Sequence, residues 1–476
     1  MRSSFILEAV VLFFVAALHV CIADSSARLP REIAPDVFWV GARDPELRIF
    51  DVVMFTEYGT SYNAYIVRGE KKTALIESVK DKPAFFDSLM KGIEDVLGKD
   101  GKVDYIVLDH TEPDHSGVAM KLALEKFPEA TVVATQAGLN YVQEISNVRL
   151  DASRQFVATA GSSIDLGGKT LQFIPAKNLH WPDSMFTFVP EVNVLFTCDF
   201  FGAHFSMEAL KKDAGSDSLF VNYYEKTAED FDQTIEPSYR YYFDMIFSPY
   251  VAYVIEGLAK VESIATEVHT ICPSHGPMMR DTAVRRIIDL YHDWAIFPKR
   301  NDTVIIAYVS AYGYTQSLAN SIAKGIESVG VTAKLFDMVE SPMDDVMMDL
   351  DESKGLILGS PTVNYDALPP IWQIALALSP RFHKELVCGS FGSYGWSGEA
   401  AIFMDTRFHQ IRAQTPMDPL RVKFRPSEKD LEDAVEYGKK FARVVLGEHI
   451  NERSGLYDYH AVPTFQPPSI NQKTHN

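Results

Sequence analysis

His110-Thr111-Glu112-Pro113-Asp114-His115 is the stretch on which the reading of this chain turns. It packs four candidate metal ligands into six residues, directly after the apolar run Tyr105-Ile-Val-Leu108, which reads as a buried strand. Positions 110, 112 and 114 cannot all face one point from a regular helix, whereas an extended loop leaving a strand end brings them together. The donors are imidazole nitrogen and carboxylate oxygen, with no thiolate. That set suits a hard or borderline ion such as iron, manganese or zinc, and argues against a Cys-rich structural zinc site.

Three further segments place a ligand type at a strand end or in a loop. Asn178-Leu-His180-Trp-Pro-Asp183 offers His180, Leu195-Phe-Thr-Cys-Asp199 puts Asp199 at the mouth of a strand, and Cys272-Pro-Ser-His275-Gly-Pro277 holds His275 in a turn. Each alone is weak, because a lone His beside Trp is usually a packed or capping residue. Together they supply His110, His115, His180 and His275 with Glu112, Asp114 and Asp199, enough for two metal ions with one carboxylate bridging.

A second constellation lies downstream. Val304-Ile-Ile-Ala-Tyr-Val309 is a fully apolar strand of the parallel-sheet kind, and Ser310-Ala-Tyr312-Gly313-Tyr314-Thr315 follows it before a helix. Hydroxyls and backbone N–H groups at a helix N-terminus cradle a phosphate, and Gly313 permits close approach. The pattern differs from the dinucleotide and Walker loops, so it predicts a mononucleotide. Two later post-strand loops, Gly359-Ser-Pro361-Thr362-Val363-Asn364 and Gly392-Ser393-Tyr394-Gly395-Trp396-Ser-Gly398, fall where a doubly wound sheet opens its ligand crevice. Their aromatic and Gly content suits a planar isoalloxazine, with Tyr394 or Trp396 able to stack.

Between these motifs the texture sorts the chain into parts. Residues 37–40, 61–67 and 72–76 read as strands, 83–97 as a helix, 118–127 as helical, and 130–134, 192–196 and 268–271 as further strands. A Pro- and charge-bearing hinge near 293–302 then leads into alternating strands (304–309, 332–336, 354–359, 386–391) and helices (316–328, 369–378, 428–446), the rhythm of an open α/β sheet. Within residues 1–28 an apolar run from Phe5 to Ala23 follows Arg2, broken by Glu8 and His19 and ending in small residues before Asp24. They read as a targeting leader, a secretory signal or the first part of an organelle address, the alternative being a cytoplasmic protein whose start is misassigned. The polar, Pro-bearing stretch 448–476 reads as a tail.

With 476 residues the chain favours two or three domains, and 47% hydrophobic with 23% charged residues describes an ordinary globular protein. A net charge of -19 makes nucleic acid a poor partner by repulsion. The four cysteines, Cys21, Cys198, Cys272 and Cys388, have no CxxC spacing and read as small core residues.

The ligand spacing resembles the metallo-β-lactamase fold, with Glu112 where a zinc hydrolase usually has His. The extra hard oxygen shifts preference towards iron and away from a zinc-hydroxide nucleophile. From about Arg31 to Gly447 the chain resembles the flavodiiron proteins (A-type flavoproteins), whose motifs all occur here in the family's order. The fold class this implies is a metallo-β-lactamase-like αβ/βα sandwich (31–298) followed by a flavodoxin-like doubly wound parallel sheet (302–447). The resemblance implies that His110, Glu112 and His180 hold one iron, Asp114, His115 and His275 the other, and that Asp199 bridges them. It implies FMN held by Ser310, Tyr312, Gly313, Tyr314 and Thr315, by Pro361, Thr362, Val363 and Asn364, and by Ser393, Tyr394, Gly395 and Trp396. Tyr314 stands at a variable, often smaller position. The implied activity is reduction of O2 to water or of NO to N2O. An external electron donor such as rubredoxin or another reductase feeds it, in a head-to-tail homodimer or tetramer. The resemblance is to the short class of the family, which is expected to lack a fused rubredoxin or flavin reductase.

Overall fold

The computed structural model describes residues 31–206, 220–221, 235–264, 267–296 and 300–454. The leader, Cys21 and the tail beyond Ser454 lie outside them. Among the described residues no helix is long and apolar enough to cross a membrane. The chain divides into two units, Met1–Ile296 and Phe297–Asn476.

Unit 1 contains two seven-stranded sheets. The first runs in the order Arg31–Ala34, Val37–Trp39, Tyr65–Arg68, Thr73–Ile76, Tyr105–Val107, Thr131–Ala134 and Gln155–Val157, its last four strands parallel. The second runs Ser163–Asp165, Thr170–Pro175, Met185–Val189, Val194–Cys198, Thr270–Pro273, Met278–Arg280 and Phe220–Val221. Strand alternation explains the layers. Val67, Ile76, Val107 and Val133 of the first sheet pack with Phe173, Met185, Val194 and Phe196 of the second. Their neighbours Ile66, Leu75, Ile106 and Val132 pack instead with Leu89 and Ile93 of helix Pro83–Leu97 and with Leu139 of helix Gln136–Ser146. Phe186, Phe188 and Leu195 meet Val254 and Leu258 of helix Val251–Glu262 and Ile287 of helix Thr282–Ala295 in the same way. Each sheet is thus covered on both faces, an αβ/βα sandwich.

Two elements depart from the sequence expectation near the site. The strand read over 61–67 is two strands in different sheets, Thr60–Tyr62 and Tyr65–Arg68. Asn63 makes the break. Its amide nitrogen donates to the carbonyls of Pro273 (2.8 Å) and Gly276 (2.9 Å), its backbone N–H to that of Ser274 (2.8 Å), and its Oδ1 accepts from Trp39 Nε1 (2.9 Å). Those bonds fasten the His275 turn to the first sheet. The extended loop expected after Leu108 is extended only as far as Glu112, since Pro113–Ser116 forms one helical turn with Pro at its first position.

Unit 2 is a five-stranded parallel sheet in the order Thr332–Asp337, Asn301–Tyr308, Ser353–Gly359, Val387–Tyr394, Leu420–Lys423. Helices Met343–Asp351, Pro369–Ala377 and Glu399–Gln410 cover one face, and Tyr314–Glu327 and Glu428–Val445 the other. This is the doubly wound flavodoxin-like order, with its switch point between Asn301–Tyr308 and Ser353–Gly359. The last described residues stay with this unit: Glu452 N–H donates to Pro416 O (2.9 Å), and Arg453 forks onto Asp405 (2.7 and 3.2 Å).

Candidate metal centre and flavin edge

The first sheet delivers the ligand cluster and then fixes it from behind. Leu108 N–H closes the sheet on Val133 O, Asp109 N–H donates to Glu77 Oε1 (2.8 Å), and Met185 N–H donates to Asp109 O (2.8 Å). Beyond that clamp, Asp183 accepts from the backbone N–H (2.8 Å) and hydroxyl (2.6 Å) of Thr111 with one oxygen. Its other oxygen lies 3.2 Å from His110 Nδ1. That bond keeps a proton on Nδ1 and turns Nε2 of His110 towards the cluster, with a lone pair there whenever the ring is neutral. The helical turn Pro113–Ser116 is pinned by Ser116 Oγ on Thr111 O (2.8 Å) and by Ser78 N–H on His115 O (2.9 Å).

Asp199 follows strand Val194–Cys198 through a bulge in which Cys198 takes a φ of 50°. His275 comes from the turn after Thr270–Pro273. Ser274 N–H donates to Cys198 O (2.7 Å), and His275 Nδ1 lies 2.6 Å from Ser61 O, so Nε2 again faces inward. Gly276 is required here: its φ is 82°, and a Cβ would sit 2.7 Å from Ala203 O.

The seven residues expected as ligands come together around Asp199. Its Oδ2 lies 3.1 Å from His180 Nε2 and 3.5 Å from His110 Nε2, while Glu112 Oε2 lies 3.1 Å and 3.3 Å from the same two nitrogens. Its Oδ1 lies 2.9 Å from His115 Nε2 and 3.6 Å from His275 Nε2. Asp114 is 3.4 Å from His115 Nε2 and 2.9 Å from His275 Nε2. Two nests therefore share one carboxylate. Side-chain exposure is 20% at Glu112 and 13% at His180, against a few per cent elsewhere, so the cluster opens to solvent past these two. Phe247 and Trp181 stand edge-on to His180, and Phe50 edge-on to His275.

The electrostatics fit cations in both nests. Burial works against charge on Asp199, yet the imidazoles of His115, His180 and His110 hold its carboxyl well below the usual carboxylate range. Burial likewise opposes ionisation of Glu112, and hydrogen bonds from His110 and His180 overcome it. Asp114 and Asp199 push His115 up to about 10 against the pull of desolvation. In addition, Asp114 Oδ1 is buried without a hydrogen-bond partner, and His115 Nε2, although 2.9 Å from Asp199 Oδ1, is not aligned for a hydrogen bond to it. Protons on imidazole balance the carboxylates here, and divalent ions would balance them better while satisfying the orphaned atoms.

Four residues around the centre escaped the sequence reading. Asp183 carried a signal, sitting three residues after His180. Tyr242, whose hydroxyl donates to Asp199 Oδ1 (2.9 Å), carried none, nor did the buried Glu77, raised to about 7 by desolvation, nor His204. The buried cysteines Cys198, Cys272 and Cys388 are free thiols.

At the carboxyl edge of unit 2 the three expected loops meet. Thr315 Oγ1 lies 2.9 Å from Ser393 Oγ, Thr362 N–H donates to Ser393 O (3.0 Å), and Gln316 N–H donates to Ser310 Oγ (3.2 Å). Gly313, at φ 77°, starts helix Tyr314–Glu327, and nothing stands within 4 Å of where its Cβ would be. Pro361 leads into a tight turn closed between Val363 and Asp366, in which Asn364 and Tyr365 both have positive φ. Of the two candidate stacking rings, Tyr394 packs on Gly398, while Trp396 is 81% exposed. Tyr312, Tyr365 and Phe424 are exposed as well, and Phe424 lies against Gly395. An open cradle at a helix N-terminus ringed by uncovered aromatics fits a phosphorylated planar ligand.

Fold and site together define a metallo-β-lactamase-like domain joined to a flavodoxin-like one. Residues 60–276 match the ODP family of beta lactamases, and residues 306–438 match flavodoxin. The chain is 36% identical over 420 residues to the flavo-diiron protein FprA2 of Clostridium acetobutylicum, covering 87% of this chain and 99% of the relative. It is 32% identical over 421 residues to a nitric oxide reductase of Moorella thermoacetica, covering 87% and 98%. Among solved structures it is similar to the rubredoxin oxygen:oxidoreductase of Desulfovibrio gigas, with a TM-score of 0.62, 25% identity and coverage of 88% and 98%. The chain belongs to the flavodiiron protein family.

Proposed function

We propose that this chain is an oxidoreductase that reduces O2, NO or both at two iron ions, with FMN relaying electrons from an external donor protein. The observation that carries the reading is the division of Asp199, one oxygen facing His110 and His180 and the other facing His115 and His275. His110, Glu112 and His180 would hold one ion, Asp114, His115 and His275 the second, and Asp199 both. Ser310 to Thr315 would take the FMN phosphate, and Pro361 to Asn364 with Ser393 to Trp396 the ring. When bound, the irons and flavin would supply the electrons, four for O2 to water or two for a pair of NO to N2O and water, with four or two protons drawn from solvent.

The chain's own residues place and shield that chemistry. Asp183 and the Ser61 carbonyl fix the ring orientations of His110 and His275, so both present Nε2 without rearrangement. Tyr242 holds Asp199 Oδ1 from the second-nest side. Phe50, Trp181 and Phe247 exclude water from the imidazole faces, and the more exposed edge at Glu112 and His180 admits a diatomic. The nitric oxide reductase and rubredoxin oxygen:oxidoreductase names of relatives support both substrates and a small redox-protein donor. A head-to-tail homodimer, setting one subunit's flavin edge against the other's metal nests, is part of the same reading.

Metal analysis of protein prepared without air, followed by anaerobic rapid mixing of the reduced protein with O2 and with NO, tests the proposal. Iron, flavin and turnover of at least one gas are expected. Zinc alone, or no turnover of either gas, would defeat it.

A further inference from the structure

Among the described residues one imidazole beside the metal nests has no ligand role. His204 is 6% exposed and packed on three sides. Phe50 stacks on it at 3.9 Å between ring centroids, while Tyr242 and His275 meet it edge-on at 4.9 and 4.8 Å. Its Nδ1 lies 3.0 Å from Thr60 Oγ1, and its Nε2 is buried with no hydrogen-bond partner.

The tautomer follows from counting protons. His275 Nδ1–H is committed to Ser61 O at 2.6 Å, so it makes no demand on the Thr60 hydroxyl 3.5 Å away. The Thr60 hydroxyl proton can go to His204 Nδ1 at 3.0 Å or to Ser61 O at 3.3 Å, and the shorter contact takes it. His204 Nδ1 then accepts, and the ring's single proton sits on Nε2, a buried donor without an acceptor. Such a group is costly unless something fills its place.

We propose that His204 Nε2–H is a hydrogen-bond donor to a diatomic ligand held at the Asp114–His115–His275 nest, making His204 a substrate-positioning residue; this rests on the diiron reading above. A buried N–H donor of this kind stabilises a ligand that accumulates negative charge on reduction, and it leaves the metal-binding set untouched.

The test uses the full-length, iron-loaded and reduced chain with NO as the probe, read by the infrared N–O stretching band and by NO affinity. His204→Phe is expected to keep both irons, weaken NO binding about tenfold, the effect of losing one hydrogen bond, and shift the band. His204→Gln, which carries an amide N–H at similar reach, is expected to restore both. A Phe variant with unchanged band and affinity overturns the proposal. So does iron loss in the Phe variant, which would mean that the ring merely supports His275. An unsubstituted chain that takes up no iron sinks the diiron reading instead, and this inference with it.

Discussion

Oδ1 of Asp183 lies 3.2 Å from Nδ1 of His110, while the same carboxylate's other oxygen holds the backbone N–H and the hydroxyl of Thr111. One buried side chain thus fixes the ring of a histidine in the first nest and the peptide beside it. Asp183→Asn keeps the shape but replaces an acceptor with a donor, so His110 loses its tautomer preference. Iron affinity should fall about 10- to 100-fold, as outer-shell losses do. Titration of apoprotein with ferrous ion checks this, and an affinity equal to the parent's would show that Asp183 does not orient the ligand.

Asp199→Ala removes the carboxylate that both nests share. Both ions should be lost together rather than one. Iron per chain, measured by elemental analysis beside folded content by circular dichroism, decides it. Retention of one full equivalent would mean that the nests are independent.

Glu112→His converts the first nest to three imidazoles with a shared carboxylate. Metal content should move towards zinc, and turnover of O2 and NO should vanish. Unchanged iron occupancy and O2 consumption would refute the role given to that oxygen ligand.

Metal-free protein should carry a pH signature that the loaded protein lacks. His115 rises from 6.5 to about 10 in the fold, so its contribution to stability is complete below 6.5 and is lost as pH climbs towards 10. Asp199 and Glu112 are depressed, so their contribution is present above the ordinary carboxylate range and is lost on acidification. Denaturant midpoints of apoprotein should therefore fall on both sides of neutrality, and iron should flatten the alkaline limb by replacing the proton on His115. Equal alkaline slopes for apo and loaded protein would contradict this account.

Trp396→Ala should weaken FMN binding about three- to tenfold, the size of one aromatic stacking contact. Tyr394→Ala should instead lower thermal stability, because that ring packs on Gly398. Fluorescence titration of apoprotein with FMN, paired with melting curves, separates the two. Equal flavin affinity in the Trp396 variant and the parent would rule out stacking by that ring.

The sequence by itself picked out the seven side chains that cluster around Asp199, the loop before helix Tyr314–Glu327 and the layered α/β plan, because each is written in short-range spacing. A strand period followed by a ligand-bearing loop, or an apolar strand followed by Gly313 and a helix, is decided within about ten residues by backbone geometry. Even so, local reading missed a strand break at Asn63, since the bonds that make it come from Pro273 and Gly276, more than two hundred residues away. It also read an extended loop where Pro113 starts a helical turn. Only the tertiary structure decided which oxygen of Asp199 faces which nest, that Asp183 stands behind His110, and that Tyr242 and His204 border the centre. Spacing carries no information about such contacts, because packing the two sheets and their helices is what brings those strand ends and loops within hydrogen-bond distance of one another.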